Sequence, residues 1–302
     1  MPLEISQPSN RRDAGLVTVL PPRSPAPGKL LLWFNILGLD APLVALVWQD
    51  FFAWNLGVNL TVGERVILAL SFWLAYTADR WLDGWKIPRG AIVSSRHYFA
   101  QQHRASLVAV WLVVLVGSVA LACCLLPWYL IERGLLLVLS VGIYFFLYQW
   151  PRTTRWLRGL KEIAVAILFS AGTMLFILPR QFDFSLSFWW PVAAWCLLCF
   201  LDCYAIACWE LELDRAAKQE SVVTRWPFLA RDFKFAALLT ILFALATLLA
   251  HSSFPPRLGL AVAASALILA ALDFWKGSLA IGALRIFADL ALLTPLIFRW
   301  VL

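Results

Sequence analysis

Charged residues are scarce in this 302-residue chain. Asp, Glu, Lys and Arg together make up 14% of it, whereas hydrophobic residues make up 62% and the mean hydropathy is +0.79. Soluble domains of ordinary composition are about 25% charged and about half apolar. The composition therefore excludes a soluble enzyme, with or without a single membrane anchor, and predicts an integral membrane protein.

Histidine is also rare, and cysteine is confined to apolar stretches. The three histidines lie in loops or at the ends of apolar runs, and none has the spacing of metal ligands. All six cysteines fall inside apolar runs, which favours small packing residues over a disulfide framework. Cys196, Cys199 and Cys203 share one face of a predicted helix, which would suit a metal site or helix packing. Without a histidine nearby in sequence, packing is the favoured interpretation.

Apolar runs that approach the length of a membrane span recur from residue 30 onward. A helix needs about 20 apolar residues to cross the hydrocarbon core. Nine runs approach this length, at residues 30–54, 62–78, 106–126, 134–150, 163–178, 188–209, 235–250, 258–272 and 279–298. We therefore predict an all-α, polytopic membrane protein, with about nine transmembrane helices in a single bundle over residues 29–302. Residues 1–28 contain six prolines and no long apolar run, which predicts a disordered N-terminal tail.

The 25 Lys and Arg residues are distributed unevenly between alternate connections. Nineteen lie in the tail and in the loops on its side, five lie on the opposite side, and Arg285 lies inside the last predicted span. Cytoplasmic loops of membrane proteins are enriched in Lys and Arg. We therefore expect the tail to be cytoplasmic and the protein to lie in the inner (cytoplasmic) membrane of a bacterium. The net charge of +7 then reflects topology, and no nucleic-acid partner is expected.

Two pairs of carboxylates lie where predicted spans reach the cytoplasmic side. Asp79 and Asp83 follow the second span, and Glu210 and Asp214 follow the sixth. Residues four apart lie on the same face of a helix, so the two charges of each pair repel unless a cation compensates them. Carboxylate oxygens suit Mg²⁺, which usually completes its shell with phosphate oxygens and water. The two pairs predict a metal site at one end of the bundle, and the alternative is that they are ordinary polar helix ends.

Basic residues accompany both acidic pairs. Arg80, Lys86 and Lys161 precede or follow the ends of the second and fifth spans, and Arg215 and Lys218 follow the sixth. Lys and Arg bind phosphate oxygens through charge-assisted hydrogen bonds. Acids and bases together would suit metal ions that bridge a diphosphate.

The first acidic segment resembles a motif of the UbiA superfamily of intramembrane prenyltransferases. The family motif Asn-Asp-x-x-Asp-x-x-x-Asp is similar to Ala75-Tyr76-x-x-Asp79-x-x-x-Asp83. Ala75 and Tyr76 replace its leading Asn-Asp, which removes two oxygen ligands.

Two further segments are similar to the same superfamily. The family's second motif, often Asp-x-Asp-x-Asp-Arg-Ala-Ala-Gly-Lys, is similar to residues 210–218, which read Glu-x-Glu-x-Asp-Arg-Ala-Ala-Lys. Residues 148–172 form a third similar stretch, in which Lys161 falls at the basic position expected at the start of the fifth helix.

The resemblance implies a nine-helix enzyme that transfers a polyprenyl group from a prenyl diphosphate to an aromatic or other lipophilic acceptor. The catalytic residues and ligands of Mg²⁺ would be Asp79, Asp83, Glu210 and Asp214. The residues that bind the two substrates would be Arg80, Lys86, Lys161, Arg215, Lys218, Tyr76, Tyr148, Asp202 and Tyr204. The cations would bind phosphates and the tyrosine rings would face the allylic carbocation. Asp202, two helical turns before Glu210, would orient the acceptor or act as its base.

Three alternatives fit other features of the sequence. The absence of the leading Asn-Asp favours a catalytically inactive UbiA-like subunit of a membrane complex. Carboxylates inside or near spans are typical of ion pathways and suggest an ion-coupled transporter, although no internal repeat supports one. The CDP-alcohol phosphotransferases also use acidic motifs in membranes, but their Asp-x-x-Asp-Gly opening has one residue fewer than the segment from Asp79 to Asp83.

Two carboxylates near spans also have local structural interpretations. Asp40 precedes Pro42, which suggests that it lies at a helix break. Asp289 lies four residues after Arg285, a spacing that allows an ion pair within one helix.

Overall fold

The computed structural model describes residues 29–86, 95–149, 157, 159–180, 186–217, 219–249 and 256–301. Every regular element among these residues is a helix, which confirms the predicted all-α class for them. The α-helices are α1 Lys29–Ile36, α2 Asp40–Asn55, α3 Val62–Lys86, α4 Ser95–Gln102, α5 Arg104–Leu125, α6 Trp128–Gln149, α7 Lys161–Met174, α8 Leu186–Trp209, α9 Leu211–Ala217, α10 Val222–Arg225, α11 Phe233–Leu249, α12 Arg257–Trp275, α13 Ile281–Ala291 and α14 Pro295–Val301. Two 3₁₀ turns are Leu178–Arg180 and Pro227–Arg231. The predicted tail, residues 1–28, lies outside the described residues.

Five segments are long and apolar enough to cross a membrane. They lie in α5, α6, α8, α12 and the consecutive pair α13–α14, and they coincide with five of the nine predicted spans. A sixth is added if α1 and α2, which are bent by 89° relative to each other, form one broken span. The remaining predicted spans are also helical, but α7 and α11 have only 14 and 17 residues, and α3, with 25 residues, contains several charged side chains. The helices are thus consistent with an integral membrane protein.

The helices α8 and α12 lie in the interior of the bundle, whereas α5 and α6 lie at its periphery. Of the apolar stretches, 56% is buried in both α8 and α12, against 6% in α5 and 11% in α6. Trp48 on α2 stacks on Trp195 of α8 with 4.1 Å between ring centroids, and its indole nitrogen donates to the carbonyl oxygen of Leu292. The outer surfaces of α5 and α6 are rich in exposed valine and leucine, as expected of helices that face lipid.

Hydrogen bonds fix the break between α1 and α2. Asn35 Nδ2 donates to Asp40 Oδ2 at 2.6 Å, and the Arg80 guanidinium donates to the Asn35 carbonyl oxygen at 2.9 Å. Gly38, inside the break, has a φ of +70°, a conformation that glycine adopts without steric cost. The position of Asp40 at a helix break is therefore confirmed. The first predicted span, residues 30–54, consists of two helices nearly at right angles.

The crossing of α11 and α12 depends on Gly259. A Cβ atom at this position would lie 2.5 Å from the carbonyl oxygen of Ala244 on α11. A backbone carbonyl in a packed helix cannot move aside easily, so we expect Gly259→Ala to lower the free energy of unfolding by about 1–3 kcal/mol. Equilibrium unfolding in a denaturing detergent would measure the difference.

Gly142→Ala on α6 is the matched control. No described atom lies within 4 Å of the added Cβ there. Because alanine also restricts the unfolded chain, we expect this variant to equal the wild type or to gain about 0.5–1 kcal/mol. Equal destabilisation by both substitutions would contradict the close crossing as the cause.

Candidate functional site

The first acidic pair lies at the end of α3, next to the start of α7. Lys161 Nζ lies 3.1 Å from Asp79 Oδ2 and also forms an ion pair with Asp83 Oδ2. The three side chains are between 21% and 27% exposed. One ammonium group thus contacts both carboxylates and offsets the repulsion that their spacing creates. In this structure Lys161 is the cation that the acidic pair requires.

Tyr144 on α6 is a fourth member of this site. Its hydroxyl donates to Asp79 Oδ1 at 2.8 Å, and its side chain is buried. Tyr148, one turn later, packs against Tyr144 with 5.0 Å between ring centroids and makes a long hydrogen bond of 3.4 Å to the Leu160 carbonyl oxygen. Sequence reasoning selected Tyr148 and missed Tyr144. The spacing of four residues is the signal that both lie on one helix face.

The first two residues of α7, Lys161 and Glu162, are both ionisable. The neighbouring Glu162 is buried and accepts a hydrogen bond from the Val222 N–H at 3.1 Å. The start of α7 therefore combines an ammonium group that contacts two carboxylates with a buried carboxyl group.

The two members of the second acidic pair have different surroundings. Glu210 is buried at the end of α8 and forms an ion pair with Arg285 on α13. Asp214, on α9, interacts electrostatically with Glu162 on α7. The structure thus pairs Arg285 with Glu210 and not with Asp289. Asp214 thus lies within electrostatic range of the start of α7.

Two other predicted site residues have partners elsewhere, and two lie wholly or partly outside the described residues. Arg215 pairs with Glu212 at 2.8 Å on the exposed side of α9. The Tyr204 hydroxyl donates to a backbone carbonyl in the 3₁₀ turn Pro227–Arg231. The side chain of Lys86 and the whole of Lys218 lie outside the described residues. Their predicted roles remain predictions.

The remaining predicted residues, Arg80, Tyr76 and Asp202, lie deeper in the bundle around Asp40. Tyr76 donates to Asp40 Oδ2 at 3.3 Å, and the Arg80 guanidinium lies 3.6 Å from the same oxygen and 4.8 Å above the Tyr76 ring. Asp202 interacts electrostatically with Asp40, as does Asp289. We call this group the inner cluster, and its members are Asn35, Asp40, Tyr76, Arg80, Asp202 and Asp289.

The donor set at the end of α3 fits Mg²⁺ held next to a phosphate. Mg²⁺ in such sites is bound by one or two carboxylates and by phosphate and water oxygens, and Asp79 and Asp83 provide two carboxylates on adjacent helical turns. Within the described ranges, no group of three or more His, Cys, Asp or Glu side chains has the arrangement of a metal site.

Comparisons of the chain with protein-family models, with curated proteins and with solved structures find no match.

Proposed function

We propose that the protein transfers a polyprenyl group from a prenyl diphosphate to an aromatic or other lipophilic acceptor, in a Mg²⁺-dependent reaction inside the membrane. The observation that carries this proposal is the contact of Lys161 with both Asp79 and Asp83 at one end of the bundle. The resemblance to UbiA prenyltransferases rests on three short segments. It implies that these carboxylates and this lysine share a diphosphate site. The contact between α3 and α7 supports that expectation.

The proposal includes a nine-span topology. The broken pair α1–α2 and the pair α13–α14 each count as one span, and α3, α5, α6, α7, α8, α11 and α12 supply the other seven. The end of α3 and the start of α7 then lie at the cytoplasmic face of a bacterial inner membrane. The five long apolar helices and the uneven distribution of Lys and Arg support this arrangement.

Departure of diphosphate from an allylic carbon leaves positive charge on the carbon and negative charge on the leaving oxygens. When bound, Mg²⁺ would supply charge neutralisation at those oxygens, and Asp79 and Asp83 would hold it. Lys161 contacts both carboxylates, so a phosphate bound beside them lies within its reach. Its ammonium would bind the leaving oxygens and stabilise their negative charge.

The carbon side of the reaction needs a wall that excludes water and stabilises a cation. The rings of Tyr144 and Tyr148 pack together next to Asp79. Aromatic faces attract cations. The position of these two rings beside Asp79 supports the role that the resemblance implies for tyrosine rings, which is to face the allylic carbocation.

The second acidic pair contributes unequally in this proposal. Asp214 lies near Glu162 and the start of α7, which suits the predicted role of a metal ligand. Arg285 forms an ion pair with one carboxylate oxygen of Glu210, so the charge of Glu210 is already compensated and Glu210 is the weaker candidate for a metal ligand. This ion pair connects the end of α8 with α13.

The proposal is tested with the full chain in lipid nanodiscs and labelled prenyl diphosphates of several chain lengths. We expect release of diphosphate that requires Mg²⁺ and stops when the metal is chelated, with empty nanodiscs as the control. Mg²⁺-dependent binding without release would favour the inactive membrane-complex subunit. Neither binding nor release at any chain length would contradict the proposal.

Tyr144→Phe separates the hydrogen bond of Tyr144 from its ring. The variant keeps the aromatic wall but removes the 2.8 Å hydrogen bond that orients Asp79. We expect the Mg²⁺ concentration at half-maximal release to rise about 5- to 10-fold, as the loss of about 1–1.5 kcal/mol predicts. Tyr129→Phe, an exposed tyrosine at the other end of α6, is the matched control. An unchanged Mg²⁺ dependence in Tyr144→Phe would contradict its role in positioning Asp79.

A further inference from the structure

The first turn of α7 carries Lys161 but has no capping residue of its own. Its N-cap residue is Leu160, whose side chain makes no capping hydrogen bond. The first N–H groups of a helix have no partner within the helix, and helix ends fray when nothing else holds them. The position of the Lys161 side chain therefore depends on contacts between this turn and other elements.

Glu162, the second residue of α7, makes such a contact with α10. Its Oε2 atom accepts a hydrogen bond from the Val222 N–H at 3.1 Å, and its side chain is only 8% exposed. Val222 and Val223 are buried as well. Water competes little for a hydrogen bond in such surroundings, so the bond is stronger than on the surface. It connects the first turn of α7 with the first turn of α10.

The start of α10 is held in place by its own hydrogen bonds. The Thr224 N–H donates to Ser221 Oγ at 3.3 Å, and the Ser221 N–H donates to Thr224 Oγ1 at 2.6 Å, which together form a capping box. The N–H of Val222 donates to neither of these side chains and is bound by Glu162 instead. Glu162 thus completes the capping of α10 from another helix.

The chain also passes close to α10 just before Lys161. A Cβ atom at Gly159 would lie 3.0 Å from Cβ and Cγ of Arg225 and 3.3 Å from the ring of Trp226. Glycine is suited to this position because it has no side chain that would push the two segments apart. The region of α10 therefore contacts the chain on both sides of Lys161, at Gly159 and at Glu162.

We propose that Glu162 is a positioning residue that acts through Lys161. By holding the first turn of α7 against α10, it keeps the Lys161 ammonium on Asp79 and Asp83. The effect on catalysis rests on the proposed function, in which Lys161 binds the leaving oxygens. The effect on the position of Lys161 does not depend on that function.

The acceptor oxygen of Glu162, and not its charge, is the property that this role requires. Lys161 already contacts two carboxylates, so a third negative charge adds little to its pairing. The buried Val222 N–H, in contrast, loses this partner if Glu162 cannot reach it. An unpaired buried donor is strongly unfavourable, so α10 and the first turn of α7 would then move apart.

Glu162→Gln and Glu162→Asp separate reach from charge. Glutamine keeps the length of the side chain and an oxygen that accepts from the Val222 N–H, but it is neutral. Aspartate keeps the charge but is one methylene shorter, which withdraws the carboxylate from Val222. Both variants keep a polar side chain of similar size, so we expect both to fold.

The first measurement is the rate of reductive methylation of Lys161 in the full chain in nanodiscs, followed by mass spectrometry of its peptide. An ammonium held by two carboxylates reacts slowly, and weaker contacts in Glu162→Asp should speed the reaction about fivefold or more. We expect Glu162→Gln to stay close to the wild type. Lys276, which pairs with the buried Asp273 at 2.9 Å, is the internal control for general loosening of the bundle.

The second measurement is kcat and KM for the prenyl diphosphate at saturating Mg²⁺. We expect kcat of Glu162→Asp to fall about 10- to 100-fold with little change in KM, as for a misplaced group that acts in the transition state. Glu162→Gln should retain the wild-type kcat.

Methylation needs no enzymatic activity, so it distinguishes the two proposals. A wild type that releases no diphosphate would contradict the proposed function, and the methylation rates would still decide the position of Lys161. If methylation of Lys161 is unchanged in Glu162→Asp, is faster in Glu162→Gln, or rises only together with that of Lys276, the inference about Glu162 is wrong.

Discussion

Asp83→Asn is expected to lower the rate of diphosphate release by about 100- to 1,000-fold, while the protein remains folded. Asparagine keeps the shape of aspartate but replaces an anionic ligand of Mg²⁺ by a neutral one. The change also removes the charge of one of the two carboxylates that Lys161 contacts. The ammonium then pairs with Asp79, so its position changes. Loss of one preorganised electrostatic contact in an active site costs about 3–4 kcal/mol, which corresponds to this range.

The measurement is kcat/KM for the prenyl diphosphate at saturating Mg²⁺, together with the Mg²⁺ dependence of release. Asp50→Asn is the matched control, because Asp50 pairs with Arg65 at 2.8 Å near the opposite end of α3. We expect this control to change kcat/KM by less than about twofold, because Asp50 has a different partner from Asp79 and Asp83 and lies in another part of the bundle. If Asp83→Asn kept both the wild-type rate and the wild-type Mg²⁺ dependence, Asp83 would not be a metal ligand.

The helices were predictable from the sequence because apolar length is a local property. All nine predicted spans contain helix, although their lengths and interruptions differ, as α7 and the α1–α2 break show. The break itself was visible in the position of Asp40 before Pro42. Its angle of 89° depends on contacts from Asn35 and Arg80, which no local pattern shows.

The partners in the site were less predictable than its acidic residues. The spacing of Asp79 and Asp83 requires a cation, but the sequence offered Lys161 only as one of five basic residues near the acidic pairs. The rotation of each helix about its axis decides which side chains meet, and α8 and α12 are apolar on nearly every face. Sequence reasoning therefore could not assign Arg285 to Glu210, and it chose Tyr148 where Tyr144 contacts Asp79.

Lys161→Met should have opposite effects on catalysis and on the binding of Mg²⁺ alone. The variant loses the ammonium that is proposed to bind the leaving oxygens, so we expect release to fall by about 100-fold or more. It also leaves Asp79 and Asp83 without their common cation. Breaking a mostly buried ion pair in this way lowers the free energy of unfolding by about 3 kcal/mol. A divalent cation in solution can then replace the missing ammonium.

Thermal unfolding with and without Mg²⁺, in the absence of diphosphate, measures this second effect. In the wild type Mg²⁺ must displace Lys161 from the two carboxylates, so the stabilisation by Mg²⁺ should be small. In Lys161→Met this ammonium no longer competes with the metal, and ligand linkage predicts a larger increase in the midpoint temperature. Lys276→Met, which removes an ammonium 2.9 Å from Asp273 at the end of α12, controls for the loss of a positive charge.

The two measurements on Lys161→Met distinguish a structural lysine from one that binds substrate. A lysine that only neutralises Asp79 and Asp83 could be replaced by Mg²⁺, so release would recover as the Mg²⁺ concentration rises. A lysine that also binds the leaving oxygens cannot be replaced in this way, because the metal that occupies the carboxylates leaves the phosphate contact unfilled. We expect stability to recover with Mg²⁺ and release to stay low. Recovery of both would restrict Lys161 to charge compensation within the bundle.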